Sequence, residues 1–581
     1  MRGGLRAGRV LAILALLATV FVTLPASAQD EQDDADEVCI RIRGSITADL
    51  TTGELTGRLG SPATRYRVSG TTADNGDGTF TQRYLLHVGP FLEVRETPAG
   101  SFTLRRGATL FFSTAEVTAG ANSGRLAYVG RINRARTTAR YQVFGRICGW
   151  GPDTVVTNGT VYTVGGDVEE AVAIQDGRII RVGTEVEILD TFIAGSTVDV
   201  IDAQGNAVIP AFVDAHSHVW EGAVDVRPSE LEDERFAQGV TTVGEPTVID
   251  ADVARLQRLA AADELRLRTR MWLGFNTFCG DIRPGAPHLG ATVSRDPAAM
   301  FGVLGTKIFS DGGACNAPAV SFPYQPGIDP LPPSPQGDLY LSEEALAGVI
   351  ADADRLGHQV IVHAIGDVGV ETAASALAQI IDGSGNPSRH RIEHNVLVRP
   401  EILDLYVTHD IGAVIFGEYN TCLHNEGGWW AQHLAPDQID WLYPWRDMVD
   451  AGVTIGWQAD VPSFTRNALH HWYSLASLGQ ADASVDFGGP GPCAAPPDLA
   501  SHALTMAEAL EAMTLGSATL MHLDSEIGSI ETGKAADLVI LDSDPISSGT
   551  ATTLLDTNVA LTMTRGDTVY CDGALVSCPT G

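Results

Sequence analysis

Residues 206–220 read NAVIPAFVDAHSHVW, an apolar run that ends in two histidines one residue apart. Residues two apart in a β-strand face the same side of the sheet. We therefore expect His216 and His218 to point into one cavity, as two imidazoles that share a metal ion must. The alternative is a strand that merely ends in polar residues, and the pair alone does not decide between the two interpretations.

The N-terminus has the pattern of a secretory signal peptide. Residues 1–28 combine an arginine-bearing start, an apolar run and an Ala-Ser-Ala end before Gln29, as export signals do. A membrane anchor is the alternative, which is disfavoured because the apolar run is short for a membrane span. We therefore expect a secreted or periplasmic protein that does not associate with a membrane after signal cleavage.

The composition is strongly acidic, with 38 lysines and arginines against 72 aspartates and glutamates, for a formal net charge of −34. Nucleic acid and anionic membranes are poor partners for such a surface. The expected partner is a small-molecule substrate, and homo-oligomerisation stays open. Lysine occurs only twice, as Lys307 and Lys534, which makes each lysine a candidate for a special role.

The eight cysteines are an even number that suits an oxidising compartment, and none forms a C-x-x-C zinc pattern. Sequence alone does not fix which cysteines pair. The expected disulfides are Cys39–Cys148, Cys571–Cys578 and, with weaker signals from spacing, Cys279–Cys315 and Cys422–Cys493.

The pattern of the chain changes several times along its length. Short alternating runs separated by turns predict all-β segments near both ends, and the two that flank the centre suggest one composite β domain. The predicted parts are a signal peptide (1–28), an acidic leader (29–37), an N-terminal all-β module (38–150), the first part of a composite β domain (151–206), a barrel (207–527) and the second part of the composite domain (528–581).

The central segment alternates eight strand-like runs with helix-like stretches, which predicts an α/β fold of the TIM-like (β/α)8 barrel type. Active sites in such barrels lie at the C-terminal ends of the strands. The residues able to bind a metal ion fall in or at the ends of predicted strands: His216, His218, Lys307, His363, His394 and Asp460. Each has an ordinary structural explanation, but six at corresponding positions of a repeating unit favour a metal site.

Five motifs carry these residues: PAFVDAHSH (210–218), KIFSDG (307–312), VHAIGD (362–367), RIEHN (391–395) and QADVPSF (458–464). Together with residues 504–542 they resemble the amidohydrolase superfamily of metal-dependent hydrolases, in particular the amidohydrolase family 3 branch that includes N-substituted formamide deformylases. The resemblance covers about residues 151–578. The chain departs from many relatives at Ala459, where they have serine, and in the acidic segment after Trp220.

The resemblance implies a role for each metal-capable residue. His216 and His218 would hold the more buried metal ion together with Asp460. His363 and His394 would hold a second ion. Histidine-rich sites favour zinc, although the ligand types also suit manganese, iron or cobalt.

Lys307 lies where relatives with two metal ions have a lysine. An amine is a poor bridge between two cations, so we predict that Lys307 is carbamylated and bridges two divalent ions. The predicted reaction is hydrolysis of an amide or other C–N bond by a metal-bound hydroxide. Asp460 would take the proton and return it to the leaving nitrogen.

Five residues are candidates for contact with the substrate or with the metal ligands: Asp311, His390, Trp220, Trp429 and Trp430. The two adjacent tryptophans follow the seventh predicted strand and would provide an aromatic wall for an apolar substrate. The alternative is a loop core that these tryptophans pack by themselves.

Two other classes of function stay open from the sequence. One is a deaminase with a single metal ion, or a lactone or ester hydrolase, on the same barrel. The other is a catalytically inactive binding protein in which the N-terminal all-β module does the work. The intact set of metal-capable residues counts against the binding protein.

Overall fold

The computed structural model describes most of the chain between Cys39 and Pro579. The described ranges are 39–60, 65–74, 79–87, 96–103, 110–119, 122–148 without 134 and 136, 152–191, and 198–579 without 222, 224–225, 249, 326–333, 382, 384, 418–429, 431–432, 482–491, 495–496 and 498. The predicted signal peptide, the acidic leader and Trp429 lie outside the described residues.

The chain forms two compact units, of which the first contains residues up to Asp153, without 88–92 and together with 189–198. Its described part is one antiparallel sheet of eight strands in the order β5-β4-β3-β2-β1-β8-β7-β6, which confirms an N-terminal all-β module. The strands are β1 (Cys39–Asp49), β2 (Glu54–Gly60), β3 (Arg65–Asp74), β4 (Thr79–His87), β5 (Glu96–Thr103), β6 (Leu110–Ala119), β7 (Asn122–Ile132) and β8 (Thr138–Cys148).

Two sheets of the second unit consist of strands that precede or follow the barrel in the sequence. The strands before the barrel are β9 (Thr154–Thr157), β10 (Thr160–Tyr162), β11 (Val168–Glu169), β12 (Ala171–Gln175), β13 (Arg178–Gly183), β14 (Asp199–Asp202) and β15 (Ala207–Pro210), and those after it are β24 (Leu538–Leu541), β25 (Val559–Thr564) and β26 (Asp567–Cys571). One sheet has the order β11-β10-β15-β24-β25-β26 and the other β13-β12-β9-β14. The six-stranded sheet therefore combines both ends of the hydrolase-like region, as the composite domain predicts.

The third sheet of this unit is parallel throughout and has eight strands in sequential order, from β16 to β23. They are β16 (Phe212–Asp214), β17 (Val240–Val248), β18 (Arg268–Gly274), β19 (Phe301–Phe309), β20 (Gln359–Ala364), β21 (Arg391–His394), β22 (Gly412–Phe416) and β23 (Ile455–Gln458). The first and last strands meet, because Ala215 N donates to Trp457 O at 2.9 Å and Asp460 N to His216 O at 3.1 Å. The sheet is thus the predicted TIM-like barrel.

Helices connect most of these strands. Their bounds are α1 (Glu185–Thr191), α2 (Pro228–Phe236), α3 (Asp250–Ala261), α4 (Glu343–Asp354), α5 (Asp367–Ile380), α6 (Pro400–His409), α7 (Trp445–Asp450), α8 (Ala468–Ser477), α9 (Met506–Glu511), α10 (Ser517–Leu520) and α11 (Pro545–Ser548). Short 3₁₀ segments span Pro287–Leu289, Pro436–Trp441, Ala500–His502 and Ala551–Leu555, and a π-helical turn spans Ala512–Gly516. Across the described residues, we find no helix with the length and apolar character needed to span a membrane.

The apolar run before His216 is divided between two sheets, which corrects the predicted start of the barrel. Val208 and Pro210 in β15 pair with Ile540 and Leu538 of the composite sheet, whereas the barrel begins only at Phe212. Proline lacks an N–H group and cannot continue a ladder on both sides. The strand therefore leaves one sheet at Pro210 and enters the other two residues later.

Two of the four expected disulfides are confirmed. Cys279 bonds to Cys315, and Cys571 bonds to Cys578. Cys493 is also disulfide-bonded, but Cys422 lies outside the described residues, so that pairing stays a prediction. The backbone pairs Cys39 with Cys148 in register on β1 and β8, which is compatible with the remaining bond.

We expect Gly305→Ala to destabilise the barrel. Gly305 pairs with Gln359 on the next strand, and an added Cβ would lie 2.0 Å from the Gln359 carbonyl oxygen. Overpacking of this kind costs about 1–3 kcal/mol, so calorimetry should record a lower melting temperature. The matched control is Gly348→Ala in the exposed face of α4, where nothing lies within 4 Å, and the loss of chain entropy in the unfolded state should raise stability by about 0.5–1 kcal/mol. Equal melting temperatures for the two variants would contradict the strand packing.

Candidate metal centre

Strand register brings two of the candidate side chains, Lys307 and His363, to the interior of the barrel together with Glu393. Lys307 on β19 pairs with Ile361, and Phe309 pairs with His363. His363 in turn pairs with Glu393 on β21. Directly paired residues of a parallel sheet have side chains on the same face. Lys307, His363 and Glu393 therefore share the inner face, within two residues of the carboxyl ends of their strands.

His394 and Asp460 reach the same interior through unusual backbone conformations. His394 follows Glu393, and strict alternation would turn its side chain outward, but its φ is +79°. Asp460 has a φ of +51°. Positive φ is uncommon in residues other than glycine and is concentrated at functional sites. The His394 ring consequently lies 4.9 Å from His216 and 4.4 Å from His363, measured between ring centroids.

Three side chains form a tight group of potential ligands. Each of His216, His394 and Asp460 offers one ligand atom, and these atoms all lie within 4.8 Å of one another. His218 adds a fourth, because its Nε2 lies 3.3 Å from Asp460 Oδ1, while His216 Nε2 lies 3.8 Å from the same oxygen. Imidazole nitrogens and a carboxylate at this spacing suit a divalent transition-metal ion.

Carboxylates orient the two histidines that opened the sequence argument. His216 Nδ1 lies 2.7 Å from Glu393 Oε2, and His218 Nδ1 lies 2.7 Å from Glu221 Oε2. A carboxylate on Nδ1 favours the tautomer that carries the proton there, which leaves Nε2 with its lone pair for a metal ion. Glu393 is itself held by Arg391, whose Nε donates to Oε1 at 2.7 Å. The orientation of His216 therefore rests on a fully buried ion pair.

The two other histidines also have one nitrogen occupied. His363 Nε2 lies 2.9 Å from the Gly312 carbonyl oxygen and must donate to it, which leaves Nδ1 as the ligand atom. His394 Nδ1 lies 2.7 Å from Gln458 Nε2, while the buried Gln458 Oε1 has no hydrogen-bond partner. Exchanging the amide oxygen and nitrogen of Gln458 lets Oε1 accept the proton of Nδ1. That assignment satisfies the oxygen and leaves His394 Nε2 for a metal ion.

Lys307 is the least expected side chain of this interior. It is fully buried, and its Nζ has no hydrogen-bond partner among the described residues. Its Nζ lies 4.9 Å from the centroid of the Phe309 ring. Burial lowers the pKa of Lys307 to about 8, although Glu393 and Asp460 oppose the shift. Orphaned buried amines are rare because an ammonium ion out of water costs several kcal/mol, so the position calls for an additional group.

The charged groups around His218 and Asp460 favour a cation at this position. Burial alone would lower the pKa of His218, but its hydrogen bond to Asp460 and the contact with Glu221 raise the pKa to about 10. Burial by itself would raise the pKa of Asp460. The hydrogen bond to His218 outweighs burial and lowers this pKa to about 2. By contrast, burial and Lys307 lower the pKa of His216 to about 4. Surroundings that hold a proton on His218 also suit a metal ion in its place.

A cavity of about 560 Å³ opens above these residues. Its described walls are largely apolar, formed by Phe278, Phe309, Ile365, Phe416, Pro462 and Phe464. Polar groups are few and comprise the metal-capable side chains together with Glu221, Thr277, Arg283 and Ser463. Apolar walls with a small number of polar groups are typical of sites for small organic ligands.

The predicted substrate contact of His390 is wrong. This residue lies before the first residue of β21, at the end of the barrel opposite the cavity. Its Nδ1 accepts from Val360 N at 2.9 Å, and its Nε2 lies 3.0 Å from Asp354 Oδ1. His390 therefore joins a strand start to the end of helix α4, and proximity to His394 in sequence was misleading because the strand runs away from it.

Three other candidates are buried and are not among the described residues that line the cavity. Asp311 accepts backbone N–H groups of Ala319, Ile365 and Gly366 at 2.9–3.1 Å, which fixes the loops beside His363. Trp220 is 1% exposed, and its indole nitrogen donates to a threonine hydroxyl. Trp430 is 4% exposed and belongs to the main hydrophobic core. Trp220 and Trp430 both pack in this core, whereas the described cavity wall has phenylalanines and histidines as its aromatic side chains.

Sequence reasoning missed four residues that shape the site. Glu221 and Glu393 orient histidines, Gln458 orients His394, and Arg283 lines the cavity. Glu393 and Gln458 stand inside quoted motifs, so their strand positions beside His394 and Asp460 could have indicated inward orientation. Glu221 and Arg283 come from loops, and their approach depends on loop conformations that no sequence period reveals.

A barrel of this kind, with histidines, an aspartate and a buried lysine at the carboxyl ends of its strands, defines a metal-dependent hydrolase architecture. The match to a known family agrees. Residues 233–570, more than half of the chain, match the model of the Amidohydrolase family. The chain belongs to this family, as the motifs predict.

Individual relatives share the same region. The chain is 25% identical over 342 residues to the N-substituted formamide deformylase of Arthrobacter pascens, covering 57% of each protein. It is 25% identical over 276 residues to the putative amidohydrolase YtcJ of Bacillus subtilis (strain 168), covering 47% of this chain and 48% of the relative. The chain thus spans about half the length of the curated relatives it matches.

Solved structures show the same fold. An uncharacterized metal-dependent hydrolase from Pyrococcus furiosus aligns with a TM-score of 0.54 at 18% identity, over 68% of this chain and 99% of that one. A second such hydrolase, from Pyrococcus horikoshii, aligns with a TM-score of 0.52.

We expect Glu221→Gln to weaken metal binding without unfolding the protein. Glu221 is half-exposed and holds His218 Nδ1, and loss of such a partner typically lowers metal affinity about 10- to 100-fold. Titration with a competing chelator, read out by elemental analysis, measures the change. Glu230→Gln on α2 is the matched control, since Glu230 pairs only with the exposed Arg227. A Glu221→Gln protein that keeps its metal as tightly as the control would remove Glu221 from the metal centre.

Proposed function

We propose that the protein is a metal-dependent amidohydrolase that cleaves an amide or other C–N bond of a small molecule. Membership of the Amidohydrolase family supports this assignment. The site supports it independently, because four histidines, Asp460 and Lys307 converge beneath an apolar cavity at the carboxyl end of the barrel.

The buried amine of Lys307 is the observation that carries the proposal. It has no hydrogen-bond partner among the described residues, yet it influences the charge states of His216, His363 and His394 around it. Addition of carbon dioxide to the neutral amine, with release of one proton, would give a carbamate whose single negative charge is shared by two oxygens. Those oxygens would replace an unpaired cation by two ligands that face the histidines, which accounts for a lysine in this position.

The residues fit two divalent metal ions, with zinc as the default for histidine ligands. His216, His218 and Asp460 would hold one ion, and His363 and His394 the other, with carbamylated Lys307 between them. When bound, such ions lower the pKa of water and polarise a substrate carbonyl. That chemistry would supply the attacking hydroxide for hydrolysis.

The chain itself supplies proton transfer and exclusion of bulk water. Asp460 Oδ1 lies within 3.8 Å of both His216 Nε2 and His218 Nε2, and Asp460 also lines the cavity. In this position the carboxylate can take a proton from water and return it to the leaving nitrogen. The phenylalanine walls limit access of bulk water and strengthen these electrostatic interactions.

A hydrolase with a single metal ion is the second candidate. The tight group of His216, His394 and Asp460 favours it, because three ligand atoms within 4.8 Å of one another could serve one ion alone. Deaminases and lactone hydrolases are the expected classes for that arrangement on this barrel. The number of metal ions per chain separates the two candidates.

We also propose that the protein is exported from the cytosol. The signal-like residues 1–28 and the even number of cysteines support a secreted or periplasmic location. The Cys279–Cys315 and Cys571–Cys578 disulfides are consistent with an oxidising compartment. Mass spectrometry of the protein recovered from fractionated cells would test this, with a mature N-terminus at Gln29 as the expected result and an intact N-terminus in the cytosol as the contrary one.

We expect two metal ions per chain and a carbamate on Lys307. Elemental analysis counts the ions, and growth with isotopically labelled bicarbonate allows the carbamate to be detected by nuclear magnetic resonance. Lys307→Ala should lose the carbamate signal and at least one ion. Lys534→Ala is the matched control, because Lys534 is the only other lysine and is paired with Ser529 and Glu531. One ion per chain together with full activity of Lys307→Ala would disprove the bridge.

We expect Asp460→Asn to lower kcat by roughly 100- to 10,000-fold, the usual range for loss of a general acid–base group. The assay is a screen of N-formyl amines, N-acyl amino acids, cyclic amides, lactones and esters with purified protein, in which the variant is the blank. Turnover of amides above that blank supports the assignment. Turnover restricted to lactones or esters would contradict C–N bond specificity, and turnover of none of these compounds by protein that contains metal would contradict the proposed function.

A further inference from the structure

Arg283 extends over the interior of the barrel, beside the position of Lys307. An added Cβ on Gly274 would lie 3.1 Å from Arg283 Nε. Gly274 pairs in register with Lys307, and Trp272, two residues earlier on the same strand, packs in the cluster that fills the barrel. The face of Gly274 that the missing side chain would occupy is therefore the inner face. The arginine side chain takes this space, which only glycine leaves open.

The segment that carries Arg283 is fixed to the barrel at several points. Arg283 N donates to Phe275 O at 3.0 Å, and the Asn276 side chain exchanges two hydrogen bonds with the backbone of Phe309. The Cys279–Cys315 disulfide ties the same segment to the loop that follows β19. A charged group on such a rigid base is pre-organised for binding, because little chain entropy is lost when a ligand arrives.

The charge of Arg283 stands out from the rest of the cavity wall. Among the described lining residues it is the only lysine or arginine. Four phenylalanines are among the other lining residues. An anion that reached Arg283 would therefore lie beside apolar side chains, where charge pairing is stronger than in bulk water.

We propose that Arg283 is a specificity-determining residue that binds a carboxylate of the substrate. The preferred substrates are then N-acyl compounds with a free carboxylate and an apolar group that contacts the phenylalanines. A guanidinium group matches a carboxylate because two parallel N–H groups can donate to its two oxygens. This inference rests on the proposed function and names the substrate class for the same site.

The reaction on such a substrate is a simple hydrolysis. Water adds across the scissile C–N bond, so that the acyl carbon gains a hydroxyl group and the nitrogen gains a proton. The products are a carboxylic acid and an amine. The carboxylate held by Arg283 is not altered, and it serves only to place the scissile bond relative to the metal-capable residues.

The kinetic test compares two substrates that differ only in the carboxylate. N-formylphenylalanine and N-formylphenethylamine share the scissile bond and the phenyl group. We expect the wild-type protein to prefer the first in kcat/KM, and Arg283→Met to reduce that preference roughly 10- to 100-fold, as expected for loss of a charge-assisted hydrogen bond. Arg283→Lys should retain part of the preference. Arg258→Met, an exposed residue of α3, is the control for loss of one positive charge and should keep the wild-type preference.

A binding measurement separates the role of Arg283 from the proposed function. Calorimetric titration of the metal-containing protein with 3-phenylpropionate requires no turnover. We expect the affinity of Arg283→Met to be at least about 10-fold lower than that of Arg258→Met, with unchanged metal content. Equal affinities, or an equal preference of wild type and Arg283→Met for the two formyl compounds, would overturn the role of Arg283. Absence of any hydrolysis, with the affinity difference intact, would instead contradict the proposed function and leave the anion site standing.

Discussion

An amine buried away from water and without a hydrogen-bond partner is the constraint on which the barrel mouth depends. Lys307 imposes it, because its Nζ is buried and has no hydrogen-bond partner among the residues that the structure describes. Burial of an unpaired cation costs several kcal/mol. The proposed conversion of the amine to a carbamate between two metal ions would remove this cost and supply the missing partners.

Two carboxylates and one amide fix the orientation of three histidine rings in the candidate metal centre. Glu393 and Glu221 hold Nδ1 of the two histidines of the H-x-H pair, and Gln458 holds His394. All three ligand rings are thereby fixed with Nε2 toward the interior. The buried ion pair of Glu393 with Arg391 then links the orientation of His216 to the centre of the barrel. A substitution that breaks the Arg391–Glu393 ion pair is therefore expected to disturb both the barrel interior and the orientation of His216.

Strand periodicity predicted the barrel and the general position of the site, because side chains alternate along each strand and five of the eight strands carry or precede a candidate ligand near their carboxyl ends. The same reasoning could not find Glu221 or Arg283, whose approach depends on irregular loops. It also failed where a residue is near a ligand in sequence but at the wrong end of a strand, as at His390. His394 would have been placed outside the barrel by alternation alone, and only its positive φ explains how it faces inward. The change of sheet after Pro210 was not predicted, because the apolar run is continuous across the two strands.

Crystal diffraction collected on both sides of the X-ray absorption edge of the bound metal would show whether the barrel mouth holds two metal ions with Lys307 between them, as we propose. We expect two anomalous peaks, one beside His216, His218 and Asp460 and one beside His363 and His394, with density for a carbamate continuous with the Lys307 amine. A single peak with an unmodified Lys307, or peaks remote from these residues, would contradict this proposal.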